Sequence, residues 1–381
     1  MLKEKEEDKL GRLLSAHLPE NRNRWAIESK KQGKPIIGVL DTLVPQEILH
    51  SIGIFPYRII GTYEASTPLA ESWRPPQMCQ YSQHVVESLL TGELDILDGI
   101  LHTDWDDDTR RLYDLCQHLN KPYFNCFLHT PHGDGKLSYS YYANDLNRVI
   151  KQIEIKFRVR FSEDRLWESI ALYDKMRELL KQLYEMRKRK RPPVSGAEAI
   201  GIVMAAFFMP MEQFVDTLGS LMGYLDQREN SLKHLSPRIL VISDRMDLLG
   251  YLELVENEGS LIAMDDLDSG SRYFWGECTE KNGDPVYALA KRQVSSPAEP
   301  CKWHFDKQID RVIEWVKEYQ IDGVLLLPHL GDTDRLCSMP FTLERLKSSG
   351  IPSMSFTRYY HLANQGQLRT RVKAFLETLE N

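Results

Sequence analysis

The chain lacks most of the features that give soluble proteins an easily read chemistry. No stretch of its 381 residues stays apolar long enough to span a bilayer, so no membrane segment is expected. It has no surplus of basic charge: 48 Lys and Arg against 55 Asp and Glu give a net charge of −7, which argues against a general nucleic-acid binder. Its cysteines (Cys79, Cys116, Cys126, Cys278, Cys301 and Cys337) form no CxxC pair and no zinc spacing, so any cluster they hold must be assembled from distant positions. Neither phosphate-cradling glycine loop, GxxxxGK[ST] or GxGxxG, occurs, and neither GxSxG nor HExxH is present. The opening, MLKEKEEDKLGRLL, is charged and helical without an apolar core, unlike a secretory signal, so reduced thiols and a cytoplasmic location are expected.

What is present is a βα alternation. With 42% hydrophobic and 27% charged residues the composition is that of a soluble globular protein, long enough for two α/β lobes. Short apolar runs read as strands: PIIGVL (35–40), PYRIIG (56–61), LDGILHT (97–103) and KPYFNCFL (121–128), with helices after the first and the third. From about residue 142 the apolar spacing becomes helical, with Ser162 as an N-cap and Ser195–Glu198 as a capping box. Strands return with PRILVIS, GSLIAMDD, IDGVLLLPH and IPSMSF. LDGILHT matches IDGVLLLPH, and NKPYFNCF matches SGIPSMSF, each pair separated by a helix. The expectation is two similar Rossmann-like or flavodoxin-like parallel-sheet lobes, residues 1–141 and 236–381, joined by a helical connector, 142–235.

In open parallel sheets ligands sit beyond the carboxyl ends of the strands. Those loops carry Asp41, Asp106 to Asp108, Asp244 and Asp332, so a cleft lined by acids is expected between the lobes. The acids suit a hard divalent cation, yet Asp is also a favoured helix cap. Asp108, just before Thr109–Leu115, reads as the cap of the following helix, which leaves Asp106 without so simple a role. Cys79 precedes a helix whose dipole would favour a thiolate, and Cys337 follows a strand on the same side. Arg272, with two aromatics in the loop DSGSRYFWG, suits an acyl-CoA phosphate or a ring, with a packed loop as an equal alternative. His102, His329 and His361 are candidates for proton transfer. The basic run Arg187–Arg191 reads as the C-terminal end of a helix rather than a nucleic-acid patch.

Taken in order, VPQEILHSIGIFPYRIIG, MCQYSQHVVESLL, LDGILHTDWDDDTRRLYDL, FSEDRLWESIALYDKMRELLKQLYEMR with PPVSGAE, DSGSRYF and the closing GIP…GQLRTRVKAFLE resemble the 2-hydroxyacyl-CoA dehydratase D-component family, which includes the catalytic subunits of ATP-dependent benzoyl-CoA reductase. The length suits the smaller catalytic subunit of that reductase. The resemblance implies a two-lobed subunit that works with a homologous catalytic subunit, an ATP-hydrolysing iron–sulfur activator and an acyl-CoA substrate. It also implies a [4Fe-4S] cluster held by cysteines in the strand-end loops. Cys79 stands at one family cysteine position; Asp41, Asp106 and Asp332 stand at the others, with Cys337 a few residues beyond the last. Carboxylates are poor substitutes for thiolates in such clusters. Three outcomes follow: a cluster with mixed ligands, another metal held by Cys79 and the aspartates, or a structural subunit with neither.

Overall fold

In the computed structural model, which describes residues 2–74, 78–228, 232, 236–276, 283–296 and 305–379, the expected strands form two four-stranded sheets. In chain order the strands are β1 (Ile36–Val39), β2 (Phe55–Arg58), β3 (Gly99–Thr103), β4 (Asn125–Leu128), β5 (Arg238–Ile242), β6 (Leu261–Asp266), β7 (Gly323–Leu326) and β8 (Ser353–Ser355). Every pairing is parallel, and the orders are β2-β1-β3-β4 and β6-β5-β7-β8. The second sheet repeats the first strand for strand. The matched segments of the sequence therefore occupy equivalent places, β3 with β7 and β4 with β8.

Because parallel strands need a covered crossover, both faces of each sheet are buried and the strands read as unbroken apolar runs. β1, β3, β5, β6 and β7 are buried at every position. Between the sheets lies the helix Gly196–Phe208, GAEAIGIVMAAFF, which is buried around its whole circumference apart from Glu198 and packs on both β2 and β6. A helix apolar on all sides has no solvent face to offer, so it forms the shared centre of the two lobes. Ser195 and Glu198 close its start as the predicted capping box, and Ser162 caps Glu163–Met186.

Two helices depart from the sequence expectation. Pro285–Ser295, not anticipated, starts at the Asp284 cap with proline in its first turn, and it packs on Lys136–Phe157 of the first half. Thr333–Ser348 begins directly after the β7 loop, so Cys337 lies on a helix and not in a loop. Arg187, first of the basic run, is buried and donates to the Ile262 carbonyl at 2.9 Å. No helix among the described residues is long and apolar enough to cross a membrane.

The lobes are bolted together by charge as well as by the central helix. The Arg58 guanidinium, at the end of β2, pairs with Asp268 in the loop after β6, and both are at most 1% exposed. Thr42 Oγ1 also donates to Asp268, at 2.8 Å. Breaking one half of such a buried pair strands the other charge in the interior. Arg58→Met is expected to lower unfolding free energy by about 3–5 kcal/mol in urea titrations, and Arg58→Met/Asp268→Leu by clearly less. Equal losses in the single and double variants would contradict this role.

Candidate functional site

Strand order reverses between β1 and β3 in one sheet and between β5 and β7 in the other, and at such switch points the post-strand loops diverge and leave a crevice. The four loops are those of Asp41, Asp104–Asp108, Asp244–Asp247 and His329–Asp332. The two crevices face one another, but where Cys79 lies they meet as a closed seam instead of the expected open cleft. Gln80 N donates to Leu330 O at 3.3 Å, Tyr360 N to Gln80 Oε1 at 2.7 Å, and Gly61 N to the Tyr360 hydroxyl at 2.9 Å. Gly331 holds a positive φ of 82°, and a Cβ there would collide with the Met78 carbonyl oxygen. Only glycine lets the loops approach this closely.

Cys79 sits at the start of the helix Gln80–Thr91, 3% exposed, with its Sγ 3.1 Å from Nε2 of His329. The helix start does not yield the expected thiolate. Burial pushes the thiol pKa far above its ordinary value, and the carboxylates of Asp106 and Asp108 add to the push. Burial likewise lowers His329, to about 3, with Arg358 contributing. The pair is therefore a neutral thiol against a neutral imidazole. Nδ1 of His329 lies 3.5 Å from Oδ2 of Asp332, and neither atom has a hydrogen-bond partner.

The aspartates are engaged in structure. Asp41 accepts from Leu43 N at 2.9 Å and from the Thr103 hydroxyl, tying the end of β1 to the end of β3. Asp106, not Asp108, caps the helix Asp107–Leu119: its Oδ1 accepts from Thr109 N at 2.6 Å, and its own N–H donates to Thr109 Oγ1 at 3.1 Å. Asp108 instead pairs with Arg74 and accepts from Cys79 N at 3.1 Å. Asp332 caps Thr333–Ser348 through Arg335 N at 3.1 Å. Burial and the neighbouring Asp244 raise Asp332 well above the carboxylate range, whereas Arg335 and Arg272 outweigh burial at Asp244 and keep it ionised. Of the two acids, Asp332 is the one that holds its proton.

Among these groups stands Arg245, which no sequence signal singled out beyond its place in a post-strand loop. It donates to Leu40 O, lies 3.9 Å above the Tyr81 ring and 5.2 Å from the Trp105 ring. Burial opposes its charge, but Tyr81, Asp41 and Asp106 more than compensate and hold it protonated. Two of the carboxylates expected to ligate a metal thus surround a guanidinium.

The remaining candidates lie elsewhere. Arg272 is buried in the second lobe, bonded to Asp266 at 2.7 Å and to Asp244 at 2.8 Å, and so ties β5 to β6 rather than offering itself to a phosphate. Cys337 is exposed and lines a surface groove with Phe305 and Phe341, away from Cys79. Cys116 and Cys126 are buried, the latter donating to Gln152 at 2.9 Å. Cys278 and Cys301 lie outside the described residues. His102 is buried against Asn125 at 3.0 Å. One sulfur beside carboxylates already committed to caps and ion pairs does not suit a thiolate-held iron–sulfur cluster, and among the described residues no group of three His, Cys, Asp or Glu is arranged to hold a metal ion.

Burial raises the pKa of Asp106 from 3.8 to about 6. The folded state therefore keeps a proton that the unfolded chain releases, and stability falls as pH rises through that window. Asn caps as well as Asp but does not titrate. Asp106→Asn is expected to gain about 1–3 kcal/mol relative to the parent between pH 4 and pH 7, read by urea unfolding at stepped pH. A difference that stays flat with pH would contradict the assignment.

Comparison with known proteins gives the family. A family model described as 2-hydroxyglutaryl-CoA dehydratase, D-component, matches residues 41–379. A putative dehydratase subunit, YjiM, of Escherichia coli K12 is 23% identical, over 93% of this chain and 94% of its own length. The (R)-phenyllactyl-CoA dehydratase beta subunit of Clostridium sporogenes is 24% identical, over 94% and 96%. A benzoyl-CoA reductase subunit of Thauera aromatica is 22% identical, over 92% of each chain. The match begins at Asp41, the first aspartate of the seam, and takes in every strand of the two sheets after β1: the chain belongs to the 2-hydroxyglutaryl-CoA dehydratase D-component family.

Proposed function

We propose that this chain is one subunit of a heteromeric enzyme acting on an acyl-CoA thioester, either removing water from a 2-hydroxyacyl-CoA or reducing an aromatic acyl-CoA ring. The observation that carries this reading is coverage. Relatives named as dehydratase and reductase subunits align over more than nine-tenths of the chain, and the family match contains all four seam loops. The chain works in the cytoplasm with a second, homologous subunit and with an ATP-hydrolysing iron–sulfur activator that supplies single electrons.

The seam supports a particular division of labour. It offers one sulfur, and its carboxylates are committed to helix caps, Arg74 and the ends of β1 and β3. We therefore assign the electron-carrying cluster to the partner subunit. In this reading Cys79, Asp41, Asp106 and Asp332 hold the seam closed in this one.

Two measurements test the two parts separately. Co-expression with a homologous chain should yield a complex of fixed ratio by native mass spectrometry, active on one class of thioester only when the activator and ATP are added. An isolated chain that turns over acyl-CoA unaided would sink the complex. Iron and sulfide analysis of the anaerobically purified chain alone should give well under one iron, with about four per complex brought by the partner. About four irons on the isolated chain, lost in Cys79→Ser, would overturn the division of labour while leaving the complex intact.

A further inference from the structure

A second arrangement of titratable groups lies away from the seam, near the amino ends of β1 and β2. His50, on the helix Gln46–Ser51, has both ring nitrogens engaged. Its Nδ1 is 2.9 Å from Oγ of Ser169 on the helix Glu163–Met186, and its Nε2 is 3.0 Å from Oε1 of Glu212 on the helix Met211–Gln227. One imidazole thus spans three helices. The Tyr173 ring stands edge-on to it at 5.7 Å between centroids. His50 and Glu212 also line a cavity of about 360 Å³, whose apolar wall includes Trp25, Phe55 and Met211.

Proton counting fixes the state of the ring. Ser169 has a single hydroxyl hydrogen, and its Oγ also lies 2.9 Å from the Glu47 carbonyl, which can only accept. With that hydrogen on the carbonyl, Ser169 presents a lone pair to His50, and Nδ1 must carry a proton to meet it. Glu212 asks the same of Nε2. The hydrogen bond from His50 holds the Glu212 carboxyl down at about 2, so it is ionised and accepts. All three bonds are made at once only by the imidazolium, with its two N–H donors. In the neutral ring one nitrogen is an acceptor, and either Ser169 turns away from Glu47 or two acceptors face one another.

The charges around the ring come from several elements. Glu47, on its own helix, interacts with it but is already paired with Arg177 and Arg292. Lys34, just before β1, acts on Glu212 from the same side, and the helix Arg24–Lys31 adds Glu28 to the cavity lining. Strand β2 brings Phe55 and Pro56, which carry no charge. Glu212 is therefore the carboxylate that the ring answers to.

We propose that His50 is a proton-operated latch: as an imidazolium it ties Gln46–Ser51 to the first turn of Met211–Gln227, and on losing its proton it lets that turn and the cavity rim loosen. The helix Met211–Gln227 starts after Pro210 without a side-chain cap, so its first turn depends on ties of this kind. Gln46–Ser51 follows the loop of Asp41, so the latch acts on an element that leads away from the seam. It does not depend on which thioester the complex uses. The bridge needs an ionised Glu212 and a protonated His50. Its contribution is present above 4.5, the ordinary value of the Glu212 carboxyl, and is lost as pH falls toward about 2. It is lost again at the alkaline side, as the ring gives up its proton.

The test uses the full chain, read by amide hydrogen exchange corrected for its intrinsic pH dependence, between about pH 5.5 and pH 8. Protection of residues 46–51 and 211–215 should fall about two- to fivefold across that range, the size expected of a partly exposed ion pair. In His50→Gln and Glu212→Gln it should start at the lower value and stay flat; the Glu212 side chain is 61% exposed, so the second variant leaves the core untouched. Carboxyl 13C NMR should place the Glu212 midpoint at about 2 in the parent and near 4.5 in His50→Gln. Parent protection that does not change with pH, an equal pH-dependent fall in Glu212→Gln, or a Glu212 midpoint still at about 2 in His50→Gln would each overturn the latch.

Discussion

The Arg245 guanidinium is the charge around which the seam is arranged. It is 2% exposed, donates to the Leu40 carbonyl at the end of the first sheet, and lies over Tyr81. Arg358 in turn donates to the carbonyl of Arg245 and to Leu327 O at 3.1 Å, so the backbone after β5 is fixed from both sides. Two sheets that meet through their carboxyl ends bring acidic loops together, and bare carboxylates in that setting would be driven apart or neutralised. A guanidinium solves this because it stays protonated when buried and presents a rigid fork of donors. With Arg58 on Asp268 beside it, Arg245 allows Asp41 and Asp106 to approach without a metal between them.

That arrangement explains the state of Cys79. A helix start lowers a thiol pKa only where solvent or a nearby cation stabilises the thiolate. At Cys79 the N–H of the residue itself goes to Asp108, the closest charges are carboxylates, and water is excluded. His329, equally buried, cannot take a proton without a large desolvation cost, so the thiol keeps it. The strand-end loops of this family member are therefore organised for closure by hydrogen bonds and ion pairs.

Much of the fold was legible because it rests on local signals. The apolar runs of β1, β3, β5 and β7 mark buried parallel strands, and the Ser162 and Ser195–Glu198 caps work within three residues of chain. The helix Pro285–Ser295 was missed although Asp284–Pro285 is a proper start signal, because its apolar face is set by Lys136–Phe157 from the other half. The loops that would face one another were also legible, since sheet order alone sends post-strand residues to the same end. What each acid does there was not. Asp106 and Asp108 are near-equivalent as caps in sequence, and the choice between them was made by Arg74, which draws Asp108 away to the start of another helix.

By itself the sequence determined the two-sheet repeat, the family and the set of residues gathered at the strand ends, because hydrophobic period, capping and order along the chain are properties of short segments. Only the tertiary structure decided that Cys79 is a neutral thiol against His329, 250 residues away, that Asp332 keeps its proton beside an ionised Asp244, and that Arg272 is bonded to Asp266 and Asp244 inside the second lobe. Those outcomes depend on burial and on which charges lie within a few ångströms. Both arise only when distant loops close on each other.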